Sequence, residues 1–259
     1  MVKFKFLKEG ALIISTNNIN SKGGKERTKE NTLVIGDLHI GIETDFASGG
    51  ITIPFQTEKV KQRIDKIIKS HKITHLIFLG DVRHKLPLPS RQEQREVPEF
   101  LSHFANITSS TNKRKIKVSI VKGNHDGQIE LIAPKKVKVY PSAGFIDNEI
   151  LFTHGRNKPM KGNYNTIIMS HIHPSIEFWS SGIRMIEHCW VRTKTNNNKE
   201  IIILPSFTYL KGGSAINSER FKAYCPILKN ADFDNSEIFL LDGTFLGKLK
   251  DLKIQINKK

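Results

Sequence analysis

Short apolar runs rich in β-branched residues recur along the chain and predict the strands of a sheet. The clearest runs stop at a glycine or a polar residue and lie at 11–14, 32–35, 75–79, 116–121, 149–152 and 166–169. Later runs predict strands at 185–191, 201–204 and 238–241. Lysines interrupt the apolar residues of segment 1–8, so we predict a strand there instead of a signal peptide.

Two segments have the pattern expected of helices. In 56–70, the apolar residues Val60, Ile64, Ile67 and Ile68 fall on one helical face. Segment 91–104 is also predicted to be helical, with Pro98 placing a break or a new helix start inside it. The polar stretch 16–31 predicts a loop. Strands alternating with helices before a strand-rich tail predict one α/β domain over 1–259, with helices packed on mixed sheets.

The composition is that of a globular protein without a membrane span. Apolar residues make up 38% and charged residues 25% of the chain, and no apolar run approaches the roughly 18 residues that a transmembrane helix needs. The cysteines, Cys189 and Cys225, have no metal-binding spacing. We expect a cytoplasmic protein with buried free thiols, the alternative being a disulfide between the two.

The formal net charge of +16 is large for 259 residues. Such a surplus favours polyanionic partners such as nucleic acid, because their bound counterions are released on binding. The alternative is a general compositional bias, since Lys is abundant throughout and the densest basic runs, 113–117 and 135–138, are short. Charge by itself does not decide between these two interpretations.

Metal-binding residue types follow five of the predicted strands. Ligands of α/β sheets bind beyond the carboxyl ends of strands, so side chains from distant loops can converge there. Each motif alone has an ordinary explanation as turn chemistry or as residues on a solvated strand face. Their conjunction in this order predicts a metal site from Asp37, His39, Asp81, Asn124, His154, His171 and His173, with His125 beside it.

The residue types indicate which metals this site would take. Imidazole nitrogens together with carboxylates suit Mn, Fe, Zn or Co better than they suit calcium. Two-metal hydrolases hold their ions about 3.5–4 Å apart, which requires a ligand that spans both, and the carboxylate of Asp81 can do so. A water shared between such ions loses its proton near neutral pH and attacks the substrate. Two aspartates only half-neutralise two dications, so the site attracts an anion such as phosphate.

The set of motifs resembles the calcineurin-like metallophosphoesterase superfamily from about residue 11 to the glycine pair Gly212-Gly213. It consists of Asp37-x-His39, Gly80-Asp81, Gly123-Asn124-His125-Asp126, His154 and His171-x-His173. The segments GDLHIGIE (36–43), GITIP (50–54) and GDVRH (80–84) are similar to archaeal phosphoesterases related to SbcD-type nucleases. Bacterial endonucleases associated with DNA ligase and helicase belong to the same group of related proteins.

This resemblance implies a fold and a role for each residue. The implied fold is a four-layer α/β/β/α sandwich with two mixed β-sheets. The resemblance implies two divalent ions, Mn2+ in the first place, with Fe, Zn, Co or Mg as alternatives. It implies that Asp81 bridges the ions and that His125 contacts the phosphate and protonates the leaving oxygen. The implied ligands are Asp37, His39 and His173 for the first metal and Asn124, His154 and His171 for the second.

Two positions depart from the pattern of the superfamily. Many relatives carry an acidic residue three positions after the bridging aspartate, where it orients the catalytic histidine, but this chain has His84. Either another group such as Asp126 supports His125, or His125 acts mainly as a hydrogen-bond donor. Ser170 stands where a glycine is usual before the His-x-His pair, and we expect this small-for-small change to need little adjustment.

We therefore expect a metal-dependent phosphodiesterase acting on nucleic acid, a nuclease of DNA repair or processing. The alternative is a phosphodiesterase or phosphomonoesterase for a small nucleotide-type substrate. A non-catalytic scaffold is disfavoured, because the chain keeps every ligand and His125. Near the motifs, Arg83, Arg156 and Lys158 are candidates for phosphate contacts or ordinary surface residues. No role is assigned to four other histidines, His71, His75, His103 and His188.

Overall fold

The computed structural model describes residues 2–19, 27–219, 221 and 224–254. Its first sheet has six strands in chain order, with β1 to β3 antiparallel and β3 to β6 parallel. These strands are β1 (Lys3–Phe6), β2 (Leu12–Ile19), β3 (Arg27–Ile35), β4 (His75–Leu79), β5 (Lys117–Val121) and β6 (Lys138–Tyr140). The parallel strands have their carboxyl ends on one edge of the sheet.

The second sheet is also mixed, and in it β8, β9 and β12 run parallel. Its strand order is β13-β10-β11-β12-β9-β8-β7, and β14 pairs with both β11 and β15. The strands are β7 (Phe145–Asp147), β8 (Ile150–Phe152), β9 (Thr166–Met169), β10 (Pro174–Ser180), β11 (Ile183–Lys194), β12 (Glu200–Ile203), β13 (Ser214–Ala215), β14 (Glu237–Leu240) and β15 (Phe245–Lys248).

The core between the two sheets explains why the strands read as continuous apolar runs. In β4, Ile77 and Leu79 face the second sheet, whereas Leu76 and Phe78 pack on the opposite side against the helices. Both sets are fully buried. A strand covered on both faces has no reason to alternate apolar with polar residues.

Helices cover the outer face of the first sheet. Two long helices, α2 (Thr57–His71) and α3 (Arg91–Asn106), pack on it, and the short helix α1 (Glu43–Ser48) lies in the connection that follows β3. A capping box between Ser90 and Glu93 starts α3. The predicted break at Pro98 was wrong, because α3 runs through this residue. Burial of Phe100 and Phe104 against β4 compensates for the helical hydrogen bond that proline cannot donate.

The outer face of the second sheet has a different cover. Within the described ranges this layer contains no α-helix, and its apolar side chains lie under loops and two 3-10 helices, Leu228–Asn230 and Leu249–Leu252. Cys189 and Cys225 are buried in this cluster as free thiols. The α/β class with two mixed sheets is confirmed, and its fourth layer is made of loops and 3-10 turns. No helix in the described part of the chain is both long and apolar enough to traverse a lipid bilayer.

The loop predicted at 16–31 was wrong where the structure describes it. Strands β2 and β3 continue to Ile19 and from Arg27, paired in register through Asn17 and Lys29. Backbone groups form this ladder whatever the side chains are, so a polar sequence does not prevent it. Residues 20–26 of the predicted loop lie outside the described residues. The predicted N-terminal strand is confirmed as β1.

Candidate metal centre

The loops that follow β3, β4, β5, β8 and β9 meet at one edge of the sandwich. Backbone hydrogen bonds join the first two loops, from the Asp37 N–H to the Gly80 carbonyl (3.2 Å) and from the His39 N–H to the Asp81 carbonyl (2.8 Å). The Asp37 carboxylate Oδ2 accepts a hydrogen bond from the His171 N–H (3.1 Å) and so ties the first sheet to the second. Loops from both sheets thus form one frame for their side chains.

Several residues of this frame have left-handed backbone conformations, which are uncommon for residues other than glycine. A conformation of this kind persists only where the surrounding structure imposes it, and such residues cluster at functional sites. The positive φ values are 56° at Asp37, 47° at His39, 50° at Asp81, 74° at His171 and 44° at His173.

A first group of donor atoms comes from Asp37, His39, Asp81 and His173, all buried and with one ligand atom each within 4.8 Å of the others. His173 Nε2 lies 3.4 Å from Asp37 Oδ1 and 3.5 Å from His39 Nε2. His39 Nε2 lies 3.9 Å from Asp81 Oδ2. Two carboxylates and two imidazoles are a donor set suited to a borderline divalent ion.

A second group consists of Asp81, His154 and His171. His154 Nε2 lies 3.4 Å from Asp81 Oδ2 and 3.1 Å from His171 Nδ1. The amide oxygen of Asn124 is 3.2 Å from the same His154 nitrogen. Both groups therefore share the carboxylate of Asp81.

Neighbouring groups orient the donors. His154 Nδ1 lies 2.9 Å from the Leu79 carbonyl oxygen, so this nitrogen donates and Nε2 is left free to bind a metal. Asp81 Oδ1 accepts a hydrogen bond from the His125 N–H (2.8 Å), while Oδ2 points to the histidines. Among the described residues, no hydrogen bond of standard geometry reaches the buried Asp37 Oδ1, and the imidazole nitrogen of His173 lies 3.4 Å away. A buried carboxylate oxygen of this kind is costly unless it binds a cation, so the residues fit a metal ion.

The pKa values of most donor groups favour the deprotonated forms that can bind a metal. Burial opposes ionisation of Asp81, but attraction to His154 and His39 outweighs it and lowers the pKa of this carboxyl group. Burial lowers the pKa of His39 to about 3, and burial together with His154 lowers that of His171 to about 4. Burial would also lower the pKa of His154, but Asp81 and Asp37 raise it to about 9. A proton on His154 thus balances the carboxylates and leaves when a metal binds.

His125 stands at the mouth of the site, half-buried beside His39 and His84. Its Nδ1 contacts the backbone carbonyl oxygen of His84, and the two rings are stacked with centroids 5.4 Å apart. His84 Nε2 lies 2.8 Å from Asp45 Oδ2, and His84 Nδ1 lies 3.2 Å from His39 Nδ1. A carboxylate from α1 is thereby connected to the centre through His84.

The carboxylate of Asp126, the alternative partner expected for His125, binds backbone N–H groups instead. Its carboxylate accepts hydrogen bonds from the N–H groups of Val82 (2.9 Å), Arg83 (3.3 Å) and Gly123 (2.9 Å). It therefore ties the loop after β4 to the loop after β5. Burial and the charge of Asp81 raise the pKa of Asp126 to about 6.

The cations considered for phosphate contacts separate into two kinds. Arg83 is fully buried and donates hydrogen bonds to the carbonyl oxygens of Pro87 (3.1 Å) and Gly127 (2.7 Å). It therefore stabilises a loop, and it is neither a phosphate contact nor a surface residue. Arg156 and Lys158 are exposed in the loop that follows His154. The dense basic runs 113–117 and 135–138 lie toward the amino ends of β5 and β6, at the other end of the sheet from the centre.

Two carboxylates near the site were missed at the sequence level. Glu93 is buried, and its Oε1 accepts hydrogen bonds from the N–H groups of His84 and Lys85 at 2.7 Å. The capping-box spacing Ser90-x-x-Glu93 is a signal that could have singled it out. Asp45 follows no strand end, and only the tertiary structure brings it to His84. Of the histidines without an assigned role, His103 binds Asp65 and His75 binds Ser119.

One solved structure of a nuclease has a similar fold, and a second solved structure is more distantly similar. The nuclease MPE of Pseudomonas putida superimposes with a TM-score of 0.55 at 17% sequence identity, over 95% of this chain and 100% of that chain. Yfce, a phosphoesterase from E. coli, gives a TM-score of 0.41 at 15% identity, over 84% of this chain and 97% of the other. A comparison with curated protein sequences finds no significant relative. The family model for calcineurin-like phosphoesterases matches residues 31–234. Because this match spans most of the chain, the protein belongs to the calcineurin-like phosphoesterase family and is a metal-dependent phosphoesterase.

Proposed function

We propose that this protein is a dinuclear metal-dependent phosphodiesterase that cleaves nucleic acid in DNA repair or processing. The observation that carries the dinuclear part is that two adjacent groups of donor atoms share the Asp81 carboxylate. One carboxylate common to two donor sets is the arrangement that two closely spaced cations require. When bound, such ions supply Lewis acidity toward phosphoryl oxygens and lower the pKa of a shared water.

The proposed ligands follow from the two donor groups. Asp37, His39 and His173 would hold one ion, and Asn124, His154 and His171 would hold the other, with Asp81 between them. Both nitrogen and oxygen donors are present, which supports Mn2+ and leaves Fe, Zn, Co or Mg as alternatives. The contact between Asn124 Oδ1 and His154 Nε2 (3.2 Å) supports including Asn124 in the second set.

His125 is proposed as the catalytic residue that meets the substrate. It is half-buried beside the donor groups, and its ring is held through Nδ1 by the His84 carbonyl oxygen. With Nδ1–H donating to this carbonyl, the imidazolium form of His125 carries a second proton on Nε2, which can donate to a phosphoryl oxygen or protonate the leaving oxygen. The Asp45–His84 pair would restrict the ring on which His125 stacks.

The nucleic-acid part of the proposal is supported by charge and by the sequence motifs. The net charge of +16 favours a polyanionic substrate. The motifs at 36–43, 50–54 and 80–84 resemble those of SbcD-related phosphoesterases, and the P. putida protein of similar fold is described as a nuclease. These features favour a nucleic-acid strand over a small nucleotide-type ester.

A substrate panel on metal-reconstituted protein tests the proposal. The expected result is close to two bound ions per chain, faster turnover of a chromogenic diester than of the matching monoester, and cleavage of single- or double-stranded DNA. Metal content is measured on the same sample by plasma mass spectrometry. Consumption of a small cyclic diester with DNA left intact would contradict the nucleic-acid part. A stoichiometry near one ion per chain would contradict the dinuclear part.

A further inference from the structure

The segment that follows His154, residues 155–163, leads away from the metal centre along the outer side of the second sheet. It starts where Gly155 lies against Met169 and His171, and it ends at the buried residue Tyr164, just before β9. Asn157 Nδ2 donates to Ser142 Oγ (2.5 Å), and the Met160 N–H donates to the Ala143 carbonyl (2.9 Å). These anchors give the segment a defined path from the carboxyl end of β9 to its amino end.

This segment is cationic throughout its length. Arg156, Lys158 and Lys161 are exposed, and positions 155–165 contain no acidic residue. The segment therefore places positive charge next to the metal centre and continues it across the outer face.

The segment borders a cleft of about 830 Å³ at the amino end of β9, named here the outer-face cleft. None of the described residues that line it is acidic, and its polar lining includes Lys158, Lys199, Lys229, Asn196 and Asn230. In the described part of the chain, no ion pair involves any of these three lysines. By contrast, Lys61, Lys85, Lys122 and Lys253 are each paired with a carboxylate.

The cleft and the metal centre lie within reach of one bound strand. Ile167 lines the cleft and His171 belongs to the centre. β9 ends at Met169, and His171 follows two residues later. The four residues from Ile167 to His171 therefore span at most about 13 Å at roughly 3.3 Å per residue. At the spacing of a B-form strand, about 3.4 Å per nucleotide, this distance corresponds to roughly four nucleotides.

We propose that segment 155–163 and the outer-face cleft bind the phosphodiester backbone of a single nucleic-acid strand whose scissile bond lies at the metal centre. This inference rests on the nucleic-acid part of the proposed function. Lysine ammonium groups neutralise successive phosphates, while the side chains of Asn196 and Asn230 donate hydrogen bonds to phosphate or sugar oxygens. The volume falls in the range of clefts that hold small ligands, which suits a few nucleotides of one strand.

The test compares two triple variants of the metal-loaded protein. The cleft variant carries Lys158→Gln, Lys199→Gln and Lys229→Gln. The control carries Lys59→Gln, Lys66→Gln and Lys69→Gln, which remove the same charge from exposed positions of α2 on the opposite side of the molecule. Binding of a labelled single strand is measured by fluorescence anisotropy over a range of salt concentrations. Turnover of a chromogenic diester is measured in parallel.

The cleft variant is expected to bind the strand at least roughly tenfold more weakly than the control at low salt. Its plot of log affinity against log salt should be shallower by roughly 2, because each lost phosphate contact removes about 0.7 from the slope for single strands. Turnover of the small diester should equal that of the control, which shows that the metal centre is intact.

Equal strand binding by the two variants would overturn the proposed role of the cleft without contradicting nucleic-acid cleavage at the metal centre. Binding of polyglutamate, a polyanion without phosphates, is measured in the same way. If the cleft variant loses polyglutamate binding as strongly as it loses strand binding, the cleft is a general anion-binding surface and the proposal is overturned. A wild-type protein that hydrolyses the small diester but neither binds nor cleaves nucleic acid would instead contradict the proposed substrate.

Discussion

Nε2 of His84 lies 2.8 Å from the carboxylate oxygen Oδ2 of Asp45, a residue 39 positions earlier in the chain. Through its other nitrogen, His84 meets Nδ1 of His39 at 3.2 Å, and its ring stacks on that of His125. Glu93 holds the His84 backbone N–H at 2.7 Å. His84, at the position where the family resemblance leads us to expect an acidic residue, thus bears an imidazole whose own carboxylate partner comes from α1.

The Asp45 carboxylate is expected to matter for turnover although it lies outside the donor groups. Asp45→Ala should lower kcat about tenfold, because it releases His84, whose ring contacts both the proposed ligand His39 and His125. Outer partners of metal-ligating histidines typically contribute between tenfold and a hundredfold. Steady-state kinetics with a chromogenic diester measures the effect. Lys85→Gln is the control, since it removes the ion pair with Asp45 (2.8 Å) while leaving the carboxylate on His84. An unchanged kcat would show that His84 is held without Asp45.

The variant His125→Ala should keep its metals and lose most of its activity. Removal of a general acid or a charge-stabilising imidazole costs on the order of a hundredfold to ten-thousandfold in kcat. His125 clusters with His39 and His84 and lies outside the two donor groups that share Asp81, which are the proposed ligand sets, so plasma mass spectrometry should find wild-type metal content. A rate equal to that of the wild type would remove His125 from the proposed chemistry.

The variant His171→Ala should behave in the opposite way. Its Nδ1 belongs to the donor group of Asp81 and His154, so its loss should lower metal occupancy toward one ion per chain. The matched control is His103→Ala, which removes a histidine bound to Asp65 between two helices. Full occupancy after dialysis of the His171→Ala protein would exclude this residue as a ligand.

Gly36 and Ser170 are expected to be energetically coupled. A Cβ atom on Gly36 would lie 2.5 Å from the Cβ of Ser170, so Gly36→Ala should destabilise the fold by about 1–3 kcal/mol. Replacing Ser170 by glycine in the same chain removes the obstacle, and this double variant should unfold at higher urea than Gly36→Ala alone. Strictly additive effects of the two substitutions would contradict the coupling.

The stability of the protein should fall on acidification because of His75. Burial, with a contribution from Lys117, lowers the pKa of this imidazole to about 4, below its ordinary value of 6.5. Between these values the unfolded chain binds a proton that the folded chain does not, so stability is retained above pH 6.5 and decreases as the pH falls. Urea unfolding should show a loss of about 1–2 kcal/mol between pH 6.5 and 5.

The variant His75→Gln should lack this part of the pH dependence, because glutamine keeps a polar group near Ser119 Oγ (2.9 Å in the wild type) without titrating. The corresponding substitution His71→Gln, at the end of α2, is the control for loss of an imidazole. A wild-type slope in the His75→Gln protein would assign the acid sensitivity to other groups.

Local sequence was a sufficient guide to the buried strands. The runs 75–79 and 166–169 match β4 and β9 residue for residue, because both strands are covered on two faces and are followed by Gly80 and Ser170. The polar extension of β2 and β3 was not predictable in this way, since its ladder depends on backbone pairing. The predicted helix break at Pro98 was wrong for a related reason, because the burial that stabilises α3 involves residues far apart in the chain.

The sequence by itself determined which chemical groups stand at the strand ends, since hydrophobic periodicity and turn residues are local properties of the chain. Only the packing of the two sheets brought the Asp37 carboxylate to the backbone N–H of His171 and left the Asp81 carboxylate common to both donor groups. The tertiary structure also buried Arg83, placed Asp45 on His84 and opened the outer-face cleft. The physical reason is that these relations join segments through long-range burial and hydrogen bonding, whose geometry no local pattern specifies.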